Sequence, residues 1–135
     1  MENRYLFRGK RKDTGEWIQG CLYGIWERRY ILGGMTNDIP NMVEVDPSTV
    51  CQCTGGKDKN SKLIYEKDIA KDDKGNLYKA FWQDNHYQFS WMCVKSEKLP
   101  IGAKWNFDCF RGYEMEVIGN VFDNPELLEG GKEPV

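Results

Sequence analysis

The chain is predicted to be a mostly β protein, on three observations. Apolar residues recur with a period of two rather than 3.6. Turn formers come so often that few helices of ordinary length fit between them. The 135 residues are 13% aromatic and 40% hydrophobic although 30% are charged, so a core built from Trp, Tyr and Phe is expected.

The elements follow in order. RYLFRGK (4–10) and EWIQGCLYG (16–24) flank Lys12-Asp13-Thr14-Gly15, which carries the Asp and Gly of a turn, so an N-terminal hairpin is expected. RYILG (29–33) reads as a third strand. GMTNDIPNM (34–42) lacks periodicity and holds Gly, Pro and two Asn, which predicts a surface loop. MVEVD and STVCQC read as short strands. LYKAFWQDNHYQFSWMCV (77–94) reads as a hairpin turning at Asp84-Asn85, with Tyr87, Phe89, Trp91 and Cys93 on one face of its second strand. That row could stack single-stranded bases. The opposite face, His86, Gln88, Ser90 and Met92, leaves it as this strand's apolar side, so core is the reading adopted. KSEKLPIGAK (95–104) interrupts the pattern before a strand at YEMEVIGNVF. In FDNPELL, Asp123 or Asn124 caps a short helical turn opened by Pro125. EGGKEPV (129–135) reads as a flexible tail.

The length suits one domain and one core. No apolar run approaches the roughly 20 residues that cross a bilayer, and the N-terminus lacks the apolar stretch of a signal peptide. A cytoplasmic protein with no membrane partner is expected. Five cysteines, an odd number without an export signal, argue for free, mostly buried thiols: Cys21, Cys51, Cys53, Cys93 and Cys109. Cys51-Gln52-Cys53 invites a zinc reading, but a structural site wants four ligands and His86 is the one histidine; two small packing residues on one strand face is the plainer account.

Net charge is −2, unevenly distributed: residues 1–35 carry seven Lys and Arg against four Asp and Glu, the rest twelve against seventeen. On an extended chain Arg8, Lys10 and Lys12 share one face, alternating with Gly9 and Arg11. This is either a phosphate-facing row for nucleic acid or a charged edge strand that discourages aggregation.

No catalytic constellation emerges. Enzyme candidates reduce to Asp58, Glu66, Asp68 and His86, with no identifiable nucleophile for the histidine. Asp58, Asn60 and Lys62 start like a calcium loop, but Lys62 stands where an oxygen ligand belongs. Asp72, Asp73, Gly75 and Asn76 read as a turn between strands. Gly33-Gly34 and Gly55-Gly56 lack the spacing of a phosphate loop. No metal and no cofactor is expected.

VCQCTGGKDKNSKLIYEKDI (50–69) resembles the motif V-x-Q-Y-T-G-L-x-D-K-N-G-x-x-I-Y-E-G-D-I of the YopX family of phage and prophage proteins. RYLFRGKRKDTGEW looks like that family's opening, and EVIGNVFDNPELL (116–128) like its closing motif. The matching positions are Thr54, Gly55, Asp58, Lys59, Asn60, Ile64, Tyr65, Glu66, Asp68 and Ile69, then Gly119, Asn120, Asn124 and Pro125. The resemblance implies a single domain over 1–128: an N-terminal β region (1–50) and an SH3-like small barrel (51–128). It brings no catalytic residues. In such a barrel the turn Asp58-Lys59-Asn60-Ser61 feeds a strand, Ile64 and Ile69 face inward, and Tyr65 to Asp68 form the bend, so the charges here are expected to be turn and surface chemistry. Gly56, Ser61, Lys67, Cys51 and Cys53 depart from the pattern. Ser61 and Lys67 replace glycines, so each either has negative φ or stores about 1 kcal/mol or more of strain.

Three functions remain. The leading one is a protein-interaction module without catalytic activity, a homo-oligomer or a binder of a phage or host protein; it rests on aromatics in excess of what one small core needs. The second is an accessory protein binding nucleic acid through Arg8, Lys10, Arg11 and Lys12. The third is a carboxylate-based enzyme.

Overall fold

A computed structural model describes residues 3–107 and 114–128. Cys109, the start of the YEMEVIGNVF strand and the tail 129–135 lie outside the described residues. Among the described residues, eleven strands are joined by turns and short 3-10 segments, which makes the chain mostly β as expected. It divides into two compact units, Met1–Cys53 and Thr54–Val135. No helix among the described residues is long and apolar enough to cross a membrane.

In the N-terminal unit, β1 (Phe7–Lys10) and β2 (Trp17–Ile25) form the expected hairpin, pairing from Phe7 with Gly20 to Lys10 with Trp17. Gly15, at φ +76°, turns the chain between them. Then follow β3 (Arg28–Thr36) and β4 (Ile39–Val45); β5 (Cys51–Lys57) begins in this unit and ends in the next, β6 (Leu63–Tyr65) belongs to the next, and the sheet order is β4-β3-β2-β1-β5-β6. Strand β1 is thus interior, flanked by β2 and β5, which corrects the edge-strand reading of the basic row.

The loop expected at 34–42 is also corrected, because β3 and β4 run through most of it. Only Asn37 and Asp38 turn the chain, both in the left-handed region (φ 51° and 65°). Asn and Asp enter that region most cheaply after glycine, and two such residues give the twist that matches paired strands. Pro40 fits because β4 ends the sheet. Lys12 N–H donates to the Glu44 carbonyl (3.1 Å), which puts the backbone of Glu44, and by alternation of Pro40, on the open edge, where no ladder N–H is required. Inside this unit lie Ile31, Val45 and the glycine backbone packed against them; a Cβ at Gly20 would collide with the Leu32 carbonyl oxygen.

In the C-terminal unit, β7 (Asp68–Lys71), β8 (Leu77–Gln83), β9 (Gln88–Lys95), β10 (Lys104–Asn106) and β11 (Glu116–Asn120) form an antiparallel sheet of order β10-β9-β8-β7-β11. Among the described residues this sheet does not close into the expected SH3-like barrel, and β10 and β11 lie at its edges. Strand β10 was not foreseen; three residues are too few to show a period.

Both faces of the sheet are covered. Ile64, Ala70, Tyr78, Ala80, Trp91, Cys93, Met115 and Val117 form one apolar cluster, with Trp91 stacked on Phe107 at 4.7 Å. Ile69, Leu77, Val94 and Leu128 form the other. Core placement of Trp91 and Cys93 stands, and Ile64 and Ile69 are fully buried as expected. The one-sided strand does not stand, since Ser90, Met92 and Val94 are buried too. The hairpin loop is four residues, 84–87, rather than two: Gln83 pairs with Gln88, and Tyr87 sits at φ 51°, 83% exposed and off the strand face. Pro125–Leu127 form the expected short turn after Asn124.

Candidate functional site

The motif residues come first, because spacing singled them out. Asp58 is 4% exposed, and its carboxylate accepts three backbone N–H bonds: from Asn60 (2.8 Å) and Lys62 (2.9 Å) on Oδ1, and from Val117 (2.9 Å) on Oδ2. With Lys59 N–H donating to the Met115 carbonyl (2.9 Å), this turn covers part of the open edge of β11. Burial alone would push the Asp58 carboxyl up, but the three donors outweigh it and hold it below the usual carboxylate range. Asp68 is 1% exposed and accepts from Tyr65 N–H at 2.8 Å across the tight bend. Thr54 donates to the Ile64 carbonyl at 2.8 Å, stitching β5 to β6. In the closing motif, Asn120 Oδ1 accepts from the N–H groups of Phe122 and Asp123, and Asn124 Oδ1 from that of Asn120. A Cβ at Gly119 would collide with Asn124 Oδ1. The motif is therefore a set of turn clamps, and the expectation that its charges are surface chemistry is corrected for Asp58 and Asp68, which are buried and structural.

Ser61 (φ 66°) and Lys67 (φ 68°) both adopt the left-handed conformation, which settles the alternative left by the sequence in favour of strain.

The basic row is occupied within its own unit. The Arg8 guanidinium and the Lys10 ammonium lie 4.7 and 5.3 Å from the centre of the Trp17 ring. Arg11 makes two 2.9 Å bonds to Asp13, and Lys12 lies 3.3 Å from Glu44. The thiols of Cys51 and Cys53 are fully buried, as the packing reading requires. Among the described residues, no group of three His, Cys, Asp or Glu stands close enough to hold a metal.

Clefts of about 780 and 740 Å³ lie among the described residues of the C-terminal unit. Asp58, Glu66, Asp68 and His86 line neither. The wall between them is a polar network: Asp72 accepts from Tyr78 O–H (2.8 Å), from Asn76 Nδ2 (3.0 Å) and from two turn N–H groups, while Ser96 O–H donates to Asn76 Oδ1 (2.7 Å). The turn read at Asp72 to Asn76 is thus present. Burial and the Asp72 carboxylate together push the Tyr78 hydroxyl far up, so it stays a donor. Every acceptor position of Asp72 is filled, so this carboxylate is a brace rather than a free base.

What remains unpartnered is a sheet face. The pairings Cys21 with Leu32, Leu32 with Met42, Tyr23 with Tyr30, and Met35 with Pro40 put these residues on one side of β2-β3-β4, opposite Ile31 and Val45. Tyr23 (49%), Met35 (65%) and Met42 (52%) are exposed there, beside the exposed Cys21. Trp26, 89% exposed at φ 51°, projects at the β2–β3 turn, where Arg29 Nη1 donates to the carbonyls of Trp26 (2.6 Å) and Arg28 (2.9 Å). Sequence reasoning missed this face, since both sides of these strands are apolar and alternation cannot tell which faces inward.

The fold and these contacts define a small two-unit β protein whose longest motif builds turns. The YopX protein family model matches residues 6–129, and the chain belongs to that family. The crystal structure of protein EF1440 from Enterococcus faecalis is similar, with a TM-score of 0.53 and 22% identity over 91% of this chain and 96% of that one; the likeness shows the fold. No curated protein matches.

Proposed function

We propose that this YopX protein is a protein-interaction module of a phage or prophage, acting in the bacterial cytoplasm without catalysis of its own. The observation that supports the reading is the exposed apolar face of β2-β3-β4, flanked by the solvent-facing Trp26. Monomeric proteins rarely leave a contiguous apolar patch of more than a few hundred Å² uncovered, and aromatic and methionine side chains are the ones enriched at the centres of interfaces. The buried motif carboxylates Asp58 and Asp68 accept backbone N–H bonds and line neither cleft, which lends no support to an enzyme. Pairing of the basic row with Trp17, Asp13 and Glu44 leaves nucleic acid the weaker alternative.

The test is a double variant, Tyr23→Glu with Met42→Glu, compared with wild type by sedimentation and by capture from a bacterial host lysate. Both positions are about half exposed, so stability should change by no more than about 0.5 kcal/mol each. Complexes formed by wild type and lost in the variant are the expected result. Identical complexes from both proteins would refute the reading.

A further inference from the structure

The geometry points to the outward face of β2-β3-β4 as a site of reversible methionine oxidation, at which a peroxide converts Met35 and Met42 to sulfoxides and switches the face from apolar to polar while the fold stays intact. The oxidation itself does not depend on what the face binds; its consequence for binding rests on the interaction reading above.

The sulfur atoms of the chain are sorted by position. Among the described residues, Cys51, Cys53, Cys93, Met92 and Met115 are all buried, at 7% exposure or less. The exposed sulfur-bearing residues, Cys21, Met35 and Met42, lie together on one side of one sheet. Cys21 pairs with Leu32, Leu32 with Met42, and Met35 with Pro40, which shares the side of Met42 by alternation along β4.

Exposure decides which thioether reacts. A buried methionine meets the oxidant only when the structure around it opens, whereas Met35 (65%) and Met42 (52%) are reached in the native state. The thioether sulfur attacks one peroxide oxygen; the S–O bond forms as the O–O bond breaks, sulfur is oxidised by two electrons, and the second oxygen leaves as water. Sulfoxide reductases, one for each epimer, reverse the step with a dithiol, which becomes a disulfide as the oxygen leaves as water.

Placement gives these two sulfurs their leverage. One end of the face is already polar: Glu44 pairs across the strands with Tyr30 and lies 3.3 Å from Lys12, and Arg28 shares that side by alternation with Tyr30. The rest of the face takes its apolar character from Leu32, Met35, Pro40 and Met42. Each sulfoxide sets a strong acceptor among them, and any apolar surface laid over it would have to strip its water without supplying a donor. Both side chains point away from Ile31 and Val45, so the core of the unit is left as it was.

The experiment treats the purified full chain, carrying Cys21→Ser to remove the competing thiol, with hydrogen peroxide at neutral pH, and follows oxidation by peptide mapping. Met35 and Met42 should gain oxygen at least ~10-fold faster than Met92 and Met115. Once both are sulfoxides, the urea midpoint should be unchanged and retention on a hydrophobic-interaction column should fall to that of the Met35→Gln, Met42→Gln variant. The two reductases with a dithiol should restore it. Similar rates at all four methionines overturn the inference, as does unchanged retention or a lowered midpoint. Capture from a host lysate separates this inference from the interaction reading. Complexes that oxidation removes and reduction restores support the switch. Complexes that survive oxidation but are lost by Tyr23→Glu with Met42→Glu overturn the switch and spare the reading. Complexes lost in neither case end the interaction reading, and the retention shift then decides the oxidation site by itself.

Discussion

Replacing Asp58 by asparagine is the sharpest test of the turn-clamp account of the motif. In wild type one carboxylate satisfies three N–H groups, two within its own turn and one, from Val117, at an edge strand 59 residues away. In Asp58→Asn the introduced amide can keep its oxygen toward Asn60 and Lys62, but then its NH2 group confronts the Val117 N–H, donor against donor. A buried donor left without its acceptor costs about 1 to 3 kcal/mol, and the two retained bonds weaken by about 0.5 kcal/mol each as charge assistance is lost. The total is about 2 to 4 kcal/mol. With a urea slope of about 2 kcal/mol/M, the unfolding midpoint should fall by about 1 to 2 M. The effect should also depend on pH. The folded carboxyl is held below the ~3.9 of an unfolded Asp, so its contribution is complete above that value and disappears as pH falls through the folded one. Wild type and variant should therefore converge on acidification, from pH 7 down to about 2. A midpoint loss under about 0.5 M, or a difference independent of pH, would refute the clamp.

Two further outcomes follow from the backbone and the thiols. Ser61→Gly should stabilise by about 0.5 to 1 kcal/mol, the strain of φ 66° less the extra chain entropy of glycine; Lys67→Gly should gain less, since Lys67 lies 5.4 Å from the centre of the Phe122 ring. Urea unfolding checks both, and a destabilised Ser61→Gly would count against the assigned turn. Iodoacetamide at neutral pH should label Cys21 at least ~100-fold faster than Cys51, Cys53 or Cys93, all fully buried, with burial pushing the Cys93 thiol up; comparable labelling of Cys93 in peptide maps would show that the core opens far more readily than its packing implies.

The strands whose signals are local were legible in the sequence. The first hairpin and the turn at Asp72 declare themselves by period or by turn residues, while the buried Ile64 and Ile69 with their bend are implied by the family resemblance. The misreadings share a cause: the deciding fact lies elsewhere in the chain. Asn37-Asp38 reads as loop until β3 supplies a partner for β4. Ser90 and Met92 read as the polar side of β9, yet both are buried, and Val94 beyond them packs with Ile69, Leu77 and Leu128. Asp58 reads as a surface charge because the donor that buries it, Val117, is 59 residues away. Strand order, which takes β1 from edge to interior, is likewise a long-range property that no window of sequence contains.

The same separation bears on where function is written. The side-chain bonds of Thr54, Asp58, Asp68 and Asn124 go to a strand pair, a strand edge, a bend and a turn. Such positions maintain the fold, and exchanging them changes stability before anything else. A binding surface has the opposite logic: Tyr23, Trp26, Met35 and Met42 make little of the fold and could be exchanged at small cost to it. Family membership therefore carries the architecture from one member to another, while on the proposed interaction reading the outward residues of β2, β3 and β4 would decide what each one meets. Two members should thus share the response to Asp58→Asn and differ in the response to Met35→Glu, wherever their outward faces differ. If both responses travelled together across members, the face would be part of the scaffold and the interaction reading would lose its support.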